Sequence, residues 1–145
     1  MKENLLSMPQ DSNKPPTTYG QAAATYGDHA QKHTPDAREL EARVLLKSAK
    51  AMQDLKLRLN DASVDEVEET LKYNRQIWMM FYDTALENNG ADHTPELRSN
   101  ILNLANFIFK REMDIRAKPA AEKFDVLINI NREIAAGLMG SSGSE

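Results

Sequence analysis

Apolar residues recur every three or four positions between residues 34 and 138, the spacing expected of helices with one buried face. Four such segments stand between turn signals. None of them alternates with the period of two that a half-buried strand requires. The pattern therefore predicts an all-α protein, an antiparallel bundle of about four long helices joined by short loops. A helical hairpin that pairs with a second chain is the main alternative.

Capping signals mark the ends of these segments. Thr34 and Thr94 are each followed by proline, which suits an N-cap residue and the first helical position. Ser63 and Glu66 have the spacing of a capping box. Gly137 is the residue type that commonly ends a helix in a left-handed conformation. The predicted helices cover residues 34–59, 63–90, 94–118 and 119–137.

The two ends of the chain differ in composition from this middle part. Residues 1–33 are rich in Pro, Gly, Ser, Thr, Asn and Gln and show no sustained apolar period, so we expect a mostly disordered extension. Residues 139–145 are rich in Gly and Ser and are expected to form a flexible tail. The predicted folded domain is therefore residues 34–138.

Two sets of apolar residues exceed what a single packing face needs. In the first predicted helix, Leu46 and Leu57 widen an already broad apolar side, which requires two neighbours or one neighbour and a partner protein. In the second, Tyr73, Ile77 and Met80 fall close together opposite the main stripe. Core packing does not account for these three residues, and Met is common on surfaces that receive helices. Both sets are candidate partner-binding surfaces of the helix-in-groove type.

Two amides fall in the middle of apolar stripes. Asn74 and Asn131 are expected to be hydrogen-bonded, because an unpaired buried amide costs about 1–3 kcal/mol. The favoured interpretation is a structural bond that sets helix register, and the alternative is contact with the backbone of a bound peptide. Arg75 and Arg132 each follow one of these amides. An ion pair is the favoured explanation for Arg75, and contact with a partner's carboxylate is the other.

Composition excludes several kinds of function. The 145-residue chain has a net charge of −4 and no cysteine, so it offers no thiolate metal site and no basic stripe for nucleic acid. No apolar run is long enough to span a membrane, and the first residues lack the apolar region of a Sec signal. His29 and His33 have metal-ligand spacing but lie outside any helical pattern. We expect no metal, no cofactor and no catalysis.

Four sequence blocks follow one another along the chain: PDARELEARVLL at 35–46, LKYNRQIW at 71–78, PELRSNILNL at 95–104 and ININREIAAGL at 128–138. Their order resembles the FlaF family of small bacterial flagellar proteins over residues 26 to 138. Asp36 and Ala37 look like a small insertion in the first block. The motif residues, structural or binding, are Arg38, Glu39, Glu41, Asn74, Arg75, Trp78, Arg98, Asn100, Asn131, Arg132 and Gly137.

The resemblance implies a cytoplasmic flagellar assembly protein without catalytic activity. Our leading hypothesis is an export chaperone that binds flagellin and couples its secretion to its synthesis. Flagellin has amphipathic terminal helices, which suit a helix-in-groove site. The alternative is an adaptor that acts through FlbT on flagellin translation, without touching flagellin. A direct RNA-binding regulator is a third candidate, which the acidic charge disfavours. Oligomeric state and the sign of the regulation are left open.

Overall fold

Four α-helices form the part of the protein that our computed structural model describes, residues 35–87 and 94–143. The helices are α1 Pro35–Leu57, α2 Val64–Glu87, α3 Pro95–Ala117 and α4 Asp125–Gly143. Short 3-10 turns at Leu59–Asp61 and Ala121–Phe124 precede α2 and α4. These two ranges contain no strand, so the predicted all-α class is confirmed.

Neighbouring helices run antiparallel. Contacts between α1 and α4 join Leu45 to Asn131 and Lys56 to Asp125, so the residue number rises along one helix as it falls along the other. The contacts of α2 with α3 follow the same rule, since Asn74 contacts Glu112 and Ala85 contacts Arg98. The most extensive packing is between α1 and α4 and between α2 and α3. The result is the up-and-down bundle expected from short connections.

One hydrophobic core runs through the bundle and receives side chains from every helix. Its largest fully buried members are Trp78, Phe124, Leu45, Met52, Leu55, Leu71, Leu97, Leu104, Ile108, Ile115, Leu127 and Ile128. Burying each such side chain contributes about 1.5–3 kcal/mol. The rings of Trp78 and Phe81 meet edge to face with centroids 5.1 Å apart, a favoured geometry for aromatic pairs.

The predicted capping signals of α2 and α3 are confirmed. Ser63 Oγ accepts a hydrogen bond from the Glu66 amide at 3.0 Å, and the Glu66 carboxylate accepts one from the Ser63 amide at 3.2 Å. Thr94 Oγ1 accepts from the Leu97 amide at 3.1 Å. These bonds satisfy amides that have no partner inside the helix. Thr34 lies outside the described residues.

The fourth predicted helix is wrong at both ends. The backbone is not helical at Lys118, which precedes Pro119, and is extended at Ala120. The 3-10 turn Ala121–Phe124 follows, so the α-helical part begins only at Asp125. At the other end, α4 continues through Gly137 to Gly143. Leu138 is fully buried. The burial of that side chain outweighs the cost of about 1 kcal/mol for glycine in a helix. Helical backbone thus enters the segment expected to be a flexible tail.

Candidate functional site

A chain of hydrogen bonds between buried polar side chains joins all four helices. At its centre, Asn74 Oδ1 accepts from Ser48 Oγ at 3.0 Å and from Asn131 Nδ2 at 2.8 Å. Asn74 Nδ2 donates to Glu112 Oε2 at 3.3 Å. None of these four side chains is more than 1% exposed. Each helix therefore contributes one polar group to a network inside the apolar core.

Asn131 extends the network towards the backbone of α1 and the indole of α2. Its Nδ2 also donates to the Leu45 carbonyl at 3.4 Å, and its Oδ1 accepts from Trp78 Nε1 at 3.0 Å. Both amide hydrogens and the amide oxygen of Asn131 are thus used. These bonds fix the orientation of the amide and satisfy the polar atom of the buried tryptophan.

Glu112 is the acidic end of this network, and charged side chains lie between it and solvent. Arg75 Nη1 stands 3.7 Å from Glu112 Oε1, and Arg75 Nη2 stands 3.7 Å from Glu68 Oε2. Arg116 Nε is 3.6 Å from the other oxygen of Glu68. Within the described ranges, no group donates a hydrogen bond to Glu112 Oε1. The buried carboxyl is therefore only partly satisfied.

Burial raises the pKa of Glu112 to about 7. The hydrogen bond from Asn74 and the positive charges of Arg75 and Arg116 lower this pKa, but they do not cancel the loss of hydration. The negative charge of Glu68 adds to the increase. The Glu112 carboxyl therefore changes its charge near neutral pH, whereas an ordinary glutamate is ionised there.

The structure brings together four of the residues that the sequence singled out: Asn74, Arg75, Trp78 and Asn131. Sequence reasoning missed Ser48 and Glu112. A signal for both was present in the helical spacing, since Ser48 lies between Leu45 and Met52 and Glu112 lies four residues after Ile108. A polar residue at a core position of a helix is the pattern that identifies such a group.

The two extra leucines of α1 are uncovered in the structure. Leu46 is 44% exposed and Leu57 is 73% exposed. Eleven residues separate them, which is close to three helical turns and places both on one side of α1, about 16 Å apart along its axis. No described residue covers more than part of either side chain. We call this side of the helix, defined by Leu46 and Leu57, the α1 apolar face.

Tyr73, Ile77 and Met80 do not form one exposed strip. Ile77 is buried, Met80 is 49% exposed, and Tyr73 is half-buried with the Lys47 ammonium 5.5 Å from its ring centroid. The expectation fails at Ile77 because α2 packs against both α1 and α3, so its buried arc is wider than one stripe. Of the three, Met80 alone presents a large exposed apolar side chain.

The other motif residues of the first helix occupy varied positions. Arg38 is buried, with 7% of its surface exposed. Glu39 is exposed and pairs with Arg43 one turn later, at 2.9 Å. Glu41 is partly buried. An exposed pair of this kind contributes at most about 1 kcal/mol, so Glu39 is not a strong anchor of the fold.

The later motif residues include one with a clear structural contact. Arg98 Nε donates to the carbonyl of Ala85 at 2.9 Å, so α3 satisfies a group near the C-terminal end of α2. Asn100 is partly buried, Arg132 is exposed, and Gly137 lies inside α4. Arg132 is therefore apart from the polar network, although it follows Asn131 in sequence.

Neither a membrane span nor a metal cluster is found in the part of the chain that is described. No helix there is long and apolar enough to cross a bilayer. No group of three or more His, Asp or Glu residues there is placed to hold a metal ion. His29, His33 and His93 lie outside the described ranges.

One comparison with known proteins gives a match. The model of a family described as "Flagellar protein FlaF" matches residues 22–138. That range includes all four helices except the last residues of α4. No curated protein matches the chain. No solved structure matches it either.

Proposed function

This chain belongs to the FlaF family of flagellar proteins, and we propose that it binds flagellin in the cytoplasm before export. In this proposal the protein is a chaperone without catalytic activity. It covers an apolar segment of flagellin that would otherwise associate with other subunits. Because the protein holds each flagellin subunit until that subunit is exported, the complex also couples flagellin secretion to flagellin synthesis.

The α1 apolar face is the observation that supports a docking role. A single exposed leucine is ordinary on a protein surface. Leu46 and Leu57, however, lie on one side of the same helix, and both leave much of their surface uncovered. Proteins recognise helical partners through apolar residues that are spaced along one side of a helix. The amphipathic terminal helices expected of flagellin have the matching chemistry.

The direct test is purification of this chain with flagellin from the same cell, in the absence of FlbT. Size-exclusion chromatography with light scattering gives the mass of each peak. A complex of defined stoichiometry supports the chaperone role. Two separate peaks reject direct binding of flagellin and favour the adaptor role, in which the partner is FlbT.

Charge substitutions locate the surface. Leu46→Asp and Leu57→Asp place a carboxylate on the α1 apolar face, and we expect each to weaken flagellin binding by at least about tenfold, which is 1.4 kcal/mol. Met113→Asp is the matched control, since Met113 is 60% exposed and lies on α3. Helical circular dichroism verifies that each variant folds. Equal binding by all three variants and the unaltered chain would place the contact elsewhere.

A further inference from the structure

Glu112 is the member of the buried network that can gain or lose charge, since its other members are two amides, a hydroxyl and an indole. We propose that Glu112 is a proton switch built into the bundle. When Glu112 loses its proton, Arg75 leaves Glu68 and binds the buried carboxylate. When the proton returns, Arg75 goes back to Glu68. This inference does not depend on the flagellin partner.

The geometry places Arg75 between two carboxyl groups. Its guanidinium nitrogens are 3.7 Å from Glu68 on one side and 3.7 Å from Glu112 on the other, beyond hydrogen-bond distance in both cases. The oxygen of Glu112 that faces Arg75 is Oε1, which receives no hydrogen bond from any described residue. A small shift of the guanidinium therefore decides which carboxyl group it binds.

The charge on Glu112 determines the direction of that shift. An ionised carboxylate accepts hydrogen bonds at both oxygens, and Asn74 supplies a donor to Oε2 only. A buried negative charge without a cation is costly, so ionised Glu112 draws Arg75 inward. Neutral Glu112 carries no charge that requires a cation nearby, so Arg75 then pairs with Glu68 on α2.

The surrounding groups allow this exchange without leaving a charge uncompensated. The charged neighbours of Glu112 are Glu68 and Arg75 on α2 and Arg116 on α3. Arg116 lies 3.6 Å from Glu68, so Glu68 keeps a cation when Arg75 moves away. Towards α1 and α4 the network presents the neutral side chains of Ser48 and Asn131.

Trp78 supplies a built-in reporter of the switch. It is the one tryptophan in the chain, and its indole N–H donates to Asn131, which in turn donates to Asn74. Asn74 donates to Glu112. A change at the carboxyl therefore reaches the indole through two amides, and the indole resonance can be followed without a label on Glu112.

The test is an NMR titration of the full chain from pH 5 to pH 9, with the glutamate side-chain carboxyls labelled with ¹³C. We expect the Glu112 carboxyl to titrate near pH 7, where burial places its pKa at about 7, and the Trp78 indole to shift with the same midpoint. Glu112→Gln should abolish both transitions. Glu69→Gln, which alters an exposed carboxylate of α2, should leave both unchanged.

Two results would overturn the proposal. In the first, the Glu112 carboxyl shows no transition between pH 5 and pH 9. In the second, Glu112 titrates near neutral pH while the indole and the Arg75 guanidinium resonances stay constant. Arg75→Gln tests the exchange of partners separately. Removing this cation should raise the titration midpoint of Glu112, and an unchanged midpoint rejects the role of Arg75.

Discussion

Asn131 donates a hydrogen bond of 2.8 Å to the side-chain oxygen of Asn74, 57 residues earlier in the chain. The bond joins α4 to α2 inside the core, where both amides are fully buried. Because the Asn74 oxygen also accepts from Ser48, one atom connects three helices. A shift of any of these helices along its axis would break a bond that water cannot replace.

Asn74→Leu should lower the free energy of unfolding by roughly 3 kcal/mol or more. The change leaves the hydroxyl of Ser48 and the Glu112 carboxyl without their Asn74 partner and removes one bond of Asn131, and each unsatisfied buried group costs about 1–3 kcal/mol. Urea unfolding measures the loss.

Ser48→Ala is the matched control for this measurement. The Asn74 oxygen keeps its bond from Asn131 in this variant, so the loss should be about 1 kcal/mol. A loss for Asn74→Leu no greater than that for Ser48→Ala would show that the network contributes little to stability.

Glu112 should make the protein less stable as pH rises towards neutrality. Its folded pKa of about 7 lies above the ordinary value of 4.5, so the folded state binds the proton more tightly. Its favourable contribution is complete below pH 4.5 and is lost as pH rises through 7. At 1.36 kcal/mol per pKa unit, the loss is roughly 3 kcal/mol.

Comparison with Glu112→Gln isolates this contribution, since every other titrating group is common to both proteins. We expect the glutamine variant to become more stable than the unaltered chain above pH 7. Glu66 acts in the opposite sense, because its pKa is lowered by hydrogen bonds from Arg58 and Ser63. Its stabilisation is lost only as pH falls below its ordinary pKa. A difference in the free energy of unfolding between Glu112→Gln and the unaltered chain that stays constant with pH would contradict the prediction.

Ser63→Ala should destabilise the protein by about 1 kcal/mol, because it removes the oxygen that accepts from the Glu66 amide at the start of α2. Ser63→Asp retains an acceptor at the same position and should leave the free energy of unfolding close to that of the unaltered chain. Urea unfolding of the three proteins tests both statements. Equal losses in the two variants would show that the cap is not the cause.

Gly140→Ala should stabilise the protein by about 0.5 kcal/mol. Gly140 lies inside α4, and a Cβ placed there meets no atom within 4 Å. Alanine reduces the conformational entropy of the unfolded chain at no steric cost. Thermal unfolding followed by circular dichroism measures the effect. An unchanged melting temperature would mean that this last part of α4 is not helical in solution.

Local signals in the sequence predicted most of the helical framework. The capping pairs at Ser63 and Thr94 are found as expected, because a cap involves only residues within one turn. The end of the last helix was not predictable from Gly137. Glycine is compatible with a cap and with a helix interior, and the burial of Leu138 against other helices decided between them.

The sequence by itself determined the four-helix framework of the described part, most of the apolar positions that the helices bury, the family and the presence of two buried amides. These features depend on spacing along a single helix and on the order of motifs. Only the tertiary structure decided that Ile77 is covered while Leu46 and Leu57 are exposed, because exposure depends on which neighbour lies against each face. It also decided that Ser48 and Glu112 meet Asn74, since the residues of that contact come from three helices.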